Sequence, residues 1–222
     1  MIVYLACMAP GLILALWAQA RIKSTYAKAQ RQPAPLSGAA AARHILDSAG
    51  LNSVDIEQVP GRLSDHYDPR AKVLRLSPEV FGSRSLAAVG IAAHEAGHAI
   101  QDAKRYAPLV IRNVAVPAAG IGSNGGMMFA MLGLMMGFPP LVWIGIGLFA
   151  CVVFFQVVNL PVEFDATARA KAQLVSLGIV SPSERVYVDK VLNAAALTYV
   201  AATLQSIMML LYLLMRAGGR DD

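Results

Sequence analysis

Residues 113–162 form a run of 50 positions, between Arg112 and Glu163, without one charged side chain. A helix that crosses a bilayer needs about 20 consecutive apolar residues, so this run holds two crossings. The break between them falls at Gly137-Phe138-Pro139-Pro140, where two prolines stop one helix and suit a tight turn. Two further uncharged runs hold one crossing each: residues 1–20, ahead of Arg21, and residues 191–215, between Lys190 and Arg216. The chain therefore reads as four spans at 2–20, 114–136, 140–160 and 193–215. Composition agrees. Hydrophobic residues make up 56% of the chain and charged residues 15%, with a mean hydropathy of +0.52. Soluble chains carry about 25% charged residues. One soluble core could not hide this much apolar surface.

The charges set the expected orientation. Of the 19 Lys and Arg residues, 17 lie in segments 21–112 and 163–190, and the others are Arg216 and Arg220. The positive-inside rule puts both basic segments in the cytoplasm and both termini outside. Topology thus accounts for the net charge of +5 and removes the case for a nucleic-acid partner. Ala18-Gln19-Ala20 resembles a signal-peptide cleavage site, but the basic residues follow the first apolar run, the reverse of a signal peptide. The cysteines, Cys7 and Cys151, both lie in uncharged runs and form no Cys-x-x-Cys pair. Gly122 and Gly126, and Gly133 and Gly137, are spaced for close helix packing, within the chain or as an oligomer face.

The organisation expected is a span at 1–20, a cytoplasmic part at 21–112, a membrane hairpin at 113–162, a cytoplasmic segment at 163–190, a span at 191–215 and a tail at 216–222. Residues 21–36 are a basic, proline-containing juxtamembrane segment whose charges suit anionic lipid. Ser37 suits the N-cap of an alanine-rich helix that Gly50 ends. Val54 to Val59 alternates as a strand, and Leu63–Tyr67 and Lys72–Leu76 flank the turn Asp68-Pro69-Arg70-Ala71 as a β-hairpin. Ser77-Pro78-Glu79 opens a helix, and a second helix runs from about Ser85 through Gln101. The fold class is a mainly α integral membrane protein with an α+β cytoplasmic part.

That second helix contains His94-Glu95-Ala96-Gly97-His98. Histidines four apart share one helical face, so both rings reach one tetrahedral Zn²⁺. Glu95, beside the first ligand, is placed as the general base. With four His and five Glu in the chain, H-E-x-x-H arises by chance in roughly one such chain in 600. The stretch 86–100 lies between Arg84 and Asp102 and is too short to span a bilayer, which argues against an intramembrane protease.

A catalytic zinc takes three protein ligands and keeps one position open. Glu163 is favoured as the third, because the 113–162 hairpin leaves the cytoplasmic side after His98 and returns there at Glu163. Asp165 is its rival, or orients a ligating histidine, and the two carboxylates point about 200° apart on a regular helix. His66 is the other contender, which would make a three-histidine site. His44, on the alanine-rich helix, reads as structural or exposed.

The chain resembles the YugP-like family of membrane neutral zinc metallopeptidases. The resemblance is carried by Asp65-His66-Tyr67-Asp68-Pro69, by Leu74-Arg75-Leu76-Ser77, by Ala92 through Gln101, and by Leu160-Pro161-Val162-Glu163-Phe164-Asp165-Ala166. It implies a zincin fold, a bound zinc ion and hydrolysis of peptide bonds. It also looks like the glutamate-liganded zincins that include the membrane proteases of the HtpX type, with cytosol-facing zinc. Many of those carry an aspartate four residues after the ligand glutamate, buttressing a histidine. Here that position is Thr167, and the aspartate is Asp165. Either Asp165 does the same work by another path or the outer contacts differ.

The function expected is a membrane-embedded zinc endopeptidase with His94, His98 and Glu163 on the metal and Glu95 as base. The 63–76 hairpin, with Leu63, Asp65, Tyr67 and Arg75, would offer a strand edge to an extended peptide. Tyr67, His66 and Arg75 are the candidates to stabilise the oxyanion. The alternative is a non-catalytic membrane scaffold with a structural or vestigial zinc site; a structural site needs a fourth protein ligand, and neither cysteine is near. The expected partners are a peptide or protein substrate and the lipid bilayer. The expected location is the plasma membrane of a bacterium, with the active site facing the cytoplasm.

Overall fold

The apolar runs fold as helices that end where backbone hydrogen bonding ends, well past the first charges. In the computed structural model, which describes residues 2–218, α1 spans Ile2–Gln30, α2 Gly38–Ser48, α3 Pro78–Phe81 and α4 Leu86–Ala103. Helix α5 (Ala107–Ile121) passes through a π turn at Gly122–Gly126 into α6 (Met127–Met136), followed by α7 (Pro139–Ser176) and α8 (Pro182–Gly218). Among the described residues there are also three short strands, β1 (Asp55–Gln58), β2 (His66–Asp68) and β3 (Val73–Leu76). The protein is mainly helical. Among the described residues, four helical stretches are long and apolar enough to cross a membrane: α1, the α5–α6 stretch, α7 and α8.

Two helices run past the boundaries that charge marks. The juxtamembrane segment begins as helix, since α1 continues past Arg21 to Gln30. The segment after residue 162 is likewise helix, with α7 running on to Ser176 before Gly178 adopts a left-handed φ of +65°. Charge marks where apolar character ends; a helix ends where a left-handed residue or proline stops the ladder. Of the expected tail at 216–222, α8 includes residues up to Gly218, and the remainder lies outside the described residues.

The chain divides into two compact units. One comprises Met1–Ala18, Ala107–Pro161 and Thr198–Asp222, and the other Gln19–Tyr106 and Val162–Leu197. In the first, α6 and the π turn pack on α7 through glycines. A Cβ on Gly122 would lie 2.3 Å from the Leu148 carbonyl oxygen, and one on Gly133 would lie 2.6 Å from the Val142 nitrogen. These small positions serve contacts within the chain. Gly137, with φ +66°, makes the turn, and Pro139 opens α7 where its missing N–H costs nothing.

The second unit is built around α4. Thirteen of its 18 residues are alanine, glycine or aliphatic, and it is buried on nearly every side. Ser85 caps it, its Oγ accepting from the Ala88 N–H at 3.2 Å. Helix α2, capped in the same way by Ser37, packs along it, and the shared core includes Ile45, Leu46, Leu74, Val89 and Leu174. The sheet has the order β1-β3-β2, with β1 parallel and β2 antiparallel to β3. The hairpin is therefore present, with β2 at the outside. Asp68 holds its turn by accepting from the N–H groups of Arg70 and Ala71.

Candidate metal centre

Helix α4 carries His94 and His98 one turn apart, their rings 4.8 Å between centroids and close to perpendicular. The small residues around them let α7 come close. A Cβ on Gly97 would lie 2.7 Å from the carbonyl oxygen of Ala166, so only glycine permits this approach. Ala166 stands three residues after Glu163, on the same face of α7. The close contact at Gly97 thus delivers Glu163, whose Oε2 lies 3.2 Å from His94 Nε2 and 3.8 Å from His98 Nε2. Among the described residues, these three form the group able to hold a metal, with one ligand atom from each within 4.8 Å of the others.

The group fits zinc. Two donors each ~2.0–2.1 Å from a tetrahedral zinc lie about 3.3–3.4 Å apart. The observed 3.2 and 3.8 Å bracket that value. Glu163 is only 3% exposed, and a carboxylate so buried needs compensating positive charge. Neither ring is free to turn: His98 Nδ1 donates to Gln101 Oε1 at 2.9 Å, and His94 Nδ1 lies 3.3 Å from Thr167 Oγ1. Partners on the second ring nitrogen are what orient metal-binding histidines.

Glu95 is pushed up to about 7, chiefly by burial, with the charge of His94 opposing and those of Glu163 and Asp65 adding. A dication beside it acts in the opposite direction. The His94 pKa is raised: burial works against its charged form, but the hydrogen bond that its ring donates to Glu163 and the charges of Glu95 and Glu163 outweigh it. The site therefore gathers an acid–base group with a raised pKa beside a three-donor cluster of two imidazoles and one carboxylate.

Asp165, two residues after Glu163, points elsewhere. It accepts from Gln101 Nε2 at 2.8 Å and from Arg169 Nε at 2.6 Å. So Thr167 sits at the first histidine, while Asp165 reaches the second through Gln101. His66 is exposed on β2, its Nδ1 donating to the Ser64 carbonyl at 2.7 Å, and it lies outside the three-residue group. His44 is exposed on α2.

The expected strand edge needs correction in part. Arg75 lies on β3, the central strand, and pairs with Asp68 and Glu57. Leu63 and Asp65 precede β2, and Asp65 accepts from Ser77 N–H at 2.8 Å. Tyr67 is on the outer strand, but its hydroxyl donates to Asp102 at 2.8 Å, fastening β2 to the end of α4. The reason is register: the outer strand is only three residues long, and β1 covers the other side of β3.

Gln101 carries no assigned role in the sequence, and Thr167 is marked there only by its place four residues after Glu163. Each stands one turn beyond a candidate ligand, Gln101 after His98 and Thr167 after Glu163, and that spacing was the available signal.

Residues 4–218 match the family described as "Putative neutral zinc metallopeptidase". The chain is 43% identical, over 212 residues and 94% of each chain, to a Bacillus subtilis (strain 168) protein described as "Putative membrane protease YugP". No solved structure matches it. The histidine pair, the carboxylate that α7 brings to it and a match along nearly the whole length agree, and the chain belongs to this family of neutral zinc metallopeptidases.

Proposed function

We propose that the protein is a membrane-embedded zinc endopeptidase that hydrolyses peptide bonds at the cytoplasmic face of a bacterial plasma membrane. The observation that carries this reading is the buried Glu163 carboxylate, 3.2 and 3.8 Å from the Nε2 atoms of two histidines one turn apart. Family membership supports zinc chemistry, and the four apolar helices support a bilayer setting.

His94, His98 and Glu163 would hold the metal, as the three protein donors that a catalytic zinc takes. Zinc there would supply acidification of a water molecule and polarisation of the substrate carbonyl. The carboxylate of Glu95 takes the proton of the attacking water and then delivers it to the leaving amine nitrogen. Burial raises the proton affinity of Glu95 and a dication beside it would lower it, so the two influences oppose each other at the group that takes up and returns the proton. The outer edge of β2 pairs with an extended peptide as an added strand. Tyr67 and Arg75 are engaged by Asp102 and by Asp68 and Glu57, so His66 is the edge residue left to face the peptide. The distribution of Lys and Arg supports the cytoplasmic orientation.

The test compares Glu95→Gln with wild type in detergent. Zinc content stays stoichiometric, and hydrolysis of a casein or peptide library falls by at least ~10², the lower end of general acid–base catalysis. Loss of zinc along with activity would refute the role given to Glu95.

A further inference from the structure

We propose that Gln101 is the positioning residue of this centre. It fixes His98 in the tautomer that leaves Nε2 unprotonated for a metal, and it ties that ring to the backbone beside Glu163. The consequence for zinc rests on the metallopeptidase reading; the tautomer does not.

Gln101 is fully buried, so both ends of its amide need protein partners. Its Nε2 carries two hydrogens and lies 2.8 Å from the Val162 carbonyl oxygen and 2.8 Å from Asp165 Oδ2. A carbonyl and an ionised carboxylate can only accept. Asp165 is paired with Arg169, whose guanidinium also lies over the Tyr106 ring. The amide is therefore oriented with its NH₂ toward α7. The flipped amide would set its oxygen against two acceptors and lose both bonds.

The remaining atom, Oε1, faces His98 Nδ1 at 2.9 Å. An amide oxygen cannot donate, so Nδ1 carries the hydrogen. In the neutral ring the lone pair then sits on Nε2, the atom that faces Glu163. The same amide grips the carbonyl of Val162, the residue next to Glu163 in the chain. One side chain thus orients one ligand and anchors the backbone of another, across 61 residues of sequence. Asp165 acts at one remove, by holding the amide the right way round.

The test uses the full-length protein in detergent, with ¹⁵N-labelled histidine, stripped of metal and then titrated with zinc. In metal-free wild type the ¹⁵N spectrum shows His98 as the Nδ1–H tautomer. Gln101→Met, which keeps the volume and removes the polar ends, abolishes that preference while the His94 signals stay in place, as a general loss of fold would not allow. Zinc affinity falls ~10–100-fold, the usual effect of removing such an outer partner. An Nε2–H tautomer in wild type overturns the proposal, and so does a Gln101→Met protein with unchanged tautomer and zinc affinity. Failure of the wild type to bind zinc would instead sink the metallopeptidase reading, with the tautomer result standing apart from it.

Discussion

Gly97→Ala probes how the helices that carry His94, His98 and Glu163 are held together. The added methyl would sit 2.7 Å from the Ala166 carbonyl oxygen, 3.3 Å from its Cα and 3.4 Å from its carbonyl carbon. All three are backbone atoms, so no side-chain rotation relieves the overlap. Ordinary contact starts near 3.4 Å, so α4 and α7 must separate by about 0.7 Å along this line. Glu163 is on the same face of α7 and moves with it. Functional constellations tolerate only ~0.5 Å of misplacement. Overpacking costs about 1–3 kcal/mol, but alanine is about 1 kcal/mol better than glycine within a helix, so the net loss of stability is about 0–2 kcal/mol. Metal affinity suffers more than the fold: we expect a drop of ~10–100-fold, comparable to losing an outer-shell partner. Zinc titration of the metal-stripped protein, with thermal unfolding of the same sample, separates the two effects. Gly82→Ala is the control, since a Cβ there meets nothing within 4 Å. If Gly97→Ala binds zinc as tightly as wild type, the approach of α7 at this glycine does not place Glu163.

Three other outcomes are expected. Glu163→Ala strips zinc about as severely as His98→Ala, whereas Asp165→Asn weakens binding only ~10–100-fold; metal content of the purified variants decides, and zinc retained by Glu163→Ala but lost by His66→Ala would refute the ligand set. Glu95 is raised from 4.5 to about 7 in the folded, metal-free protein, so it stabilises the fold at acid pH and that contribution disappears as pH rises through about 7; the metal-free wild type should lose stability from pH 5 to pH 8 more steeply than Glu95→Gln, and parallel unfolding curves would count against a buried Glu95. Reporters fused after Lys104 and after Ser181 should read cytoplasmic, as the basic segments require, and a periplasmic or external reading at either site would reverse the orientation.

Some features of this protein were legible in the sequence because their cause is local. Uncharged runs of sufficient length mark the helices that can cross a bilayer. Ser37 and Ser85 announce helix starts because a cap bonds to backbone only three residues on. The i, i+4 spacing of His94 and His98 puts them on one face whatever surrounds the helix. Other features were not legible, because they depend on what packs against what. Glu163, Asp165 and His66 were all plausible third donors by chain order. Only the contact of Gly97 with Ala166, 69 residues away, brings Glu163 to the rings and turns Asp165 to Gln101. Gln101 looked like one polar residue at the end of an apolar helix, and its buried amide acquires meaning only once Val162 and Asp165 supply acceptors from α7. Arg75 belongs to an edge or a centre according to where β1 docks, which alternation along one strand does not encode. Periodicity and caps act over a turn of helix and so survive in the sequence as pattern; a donor set assembled from two helices is decided by close packing between distant segments, and that exists only in the folded chain.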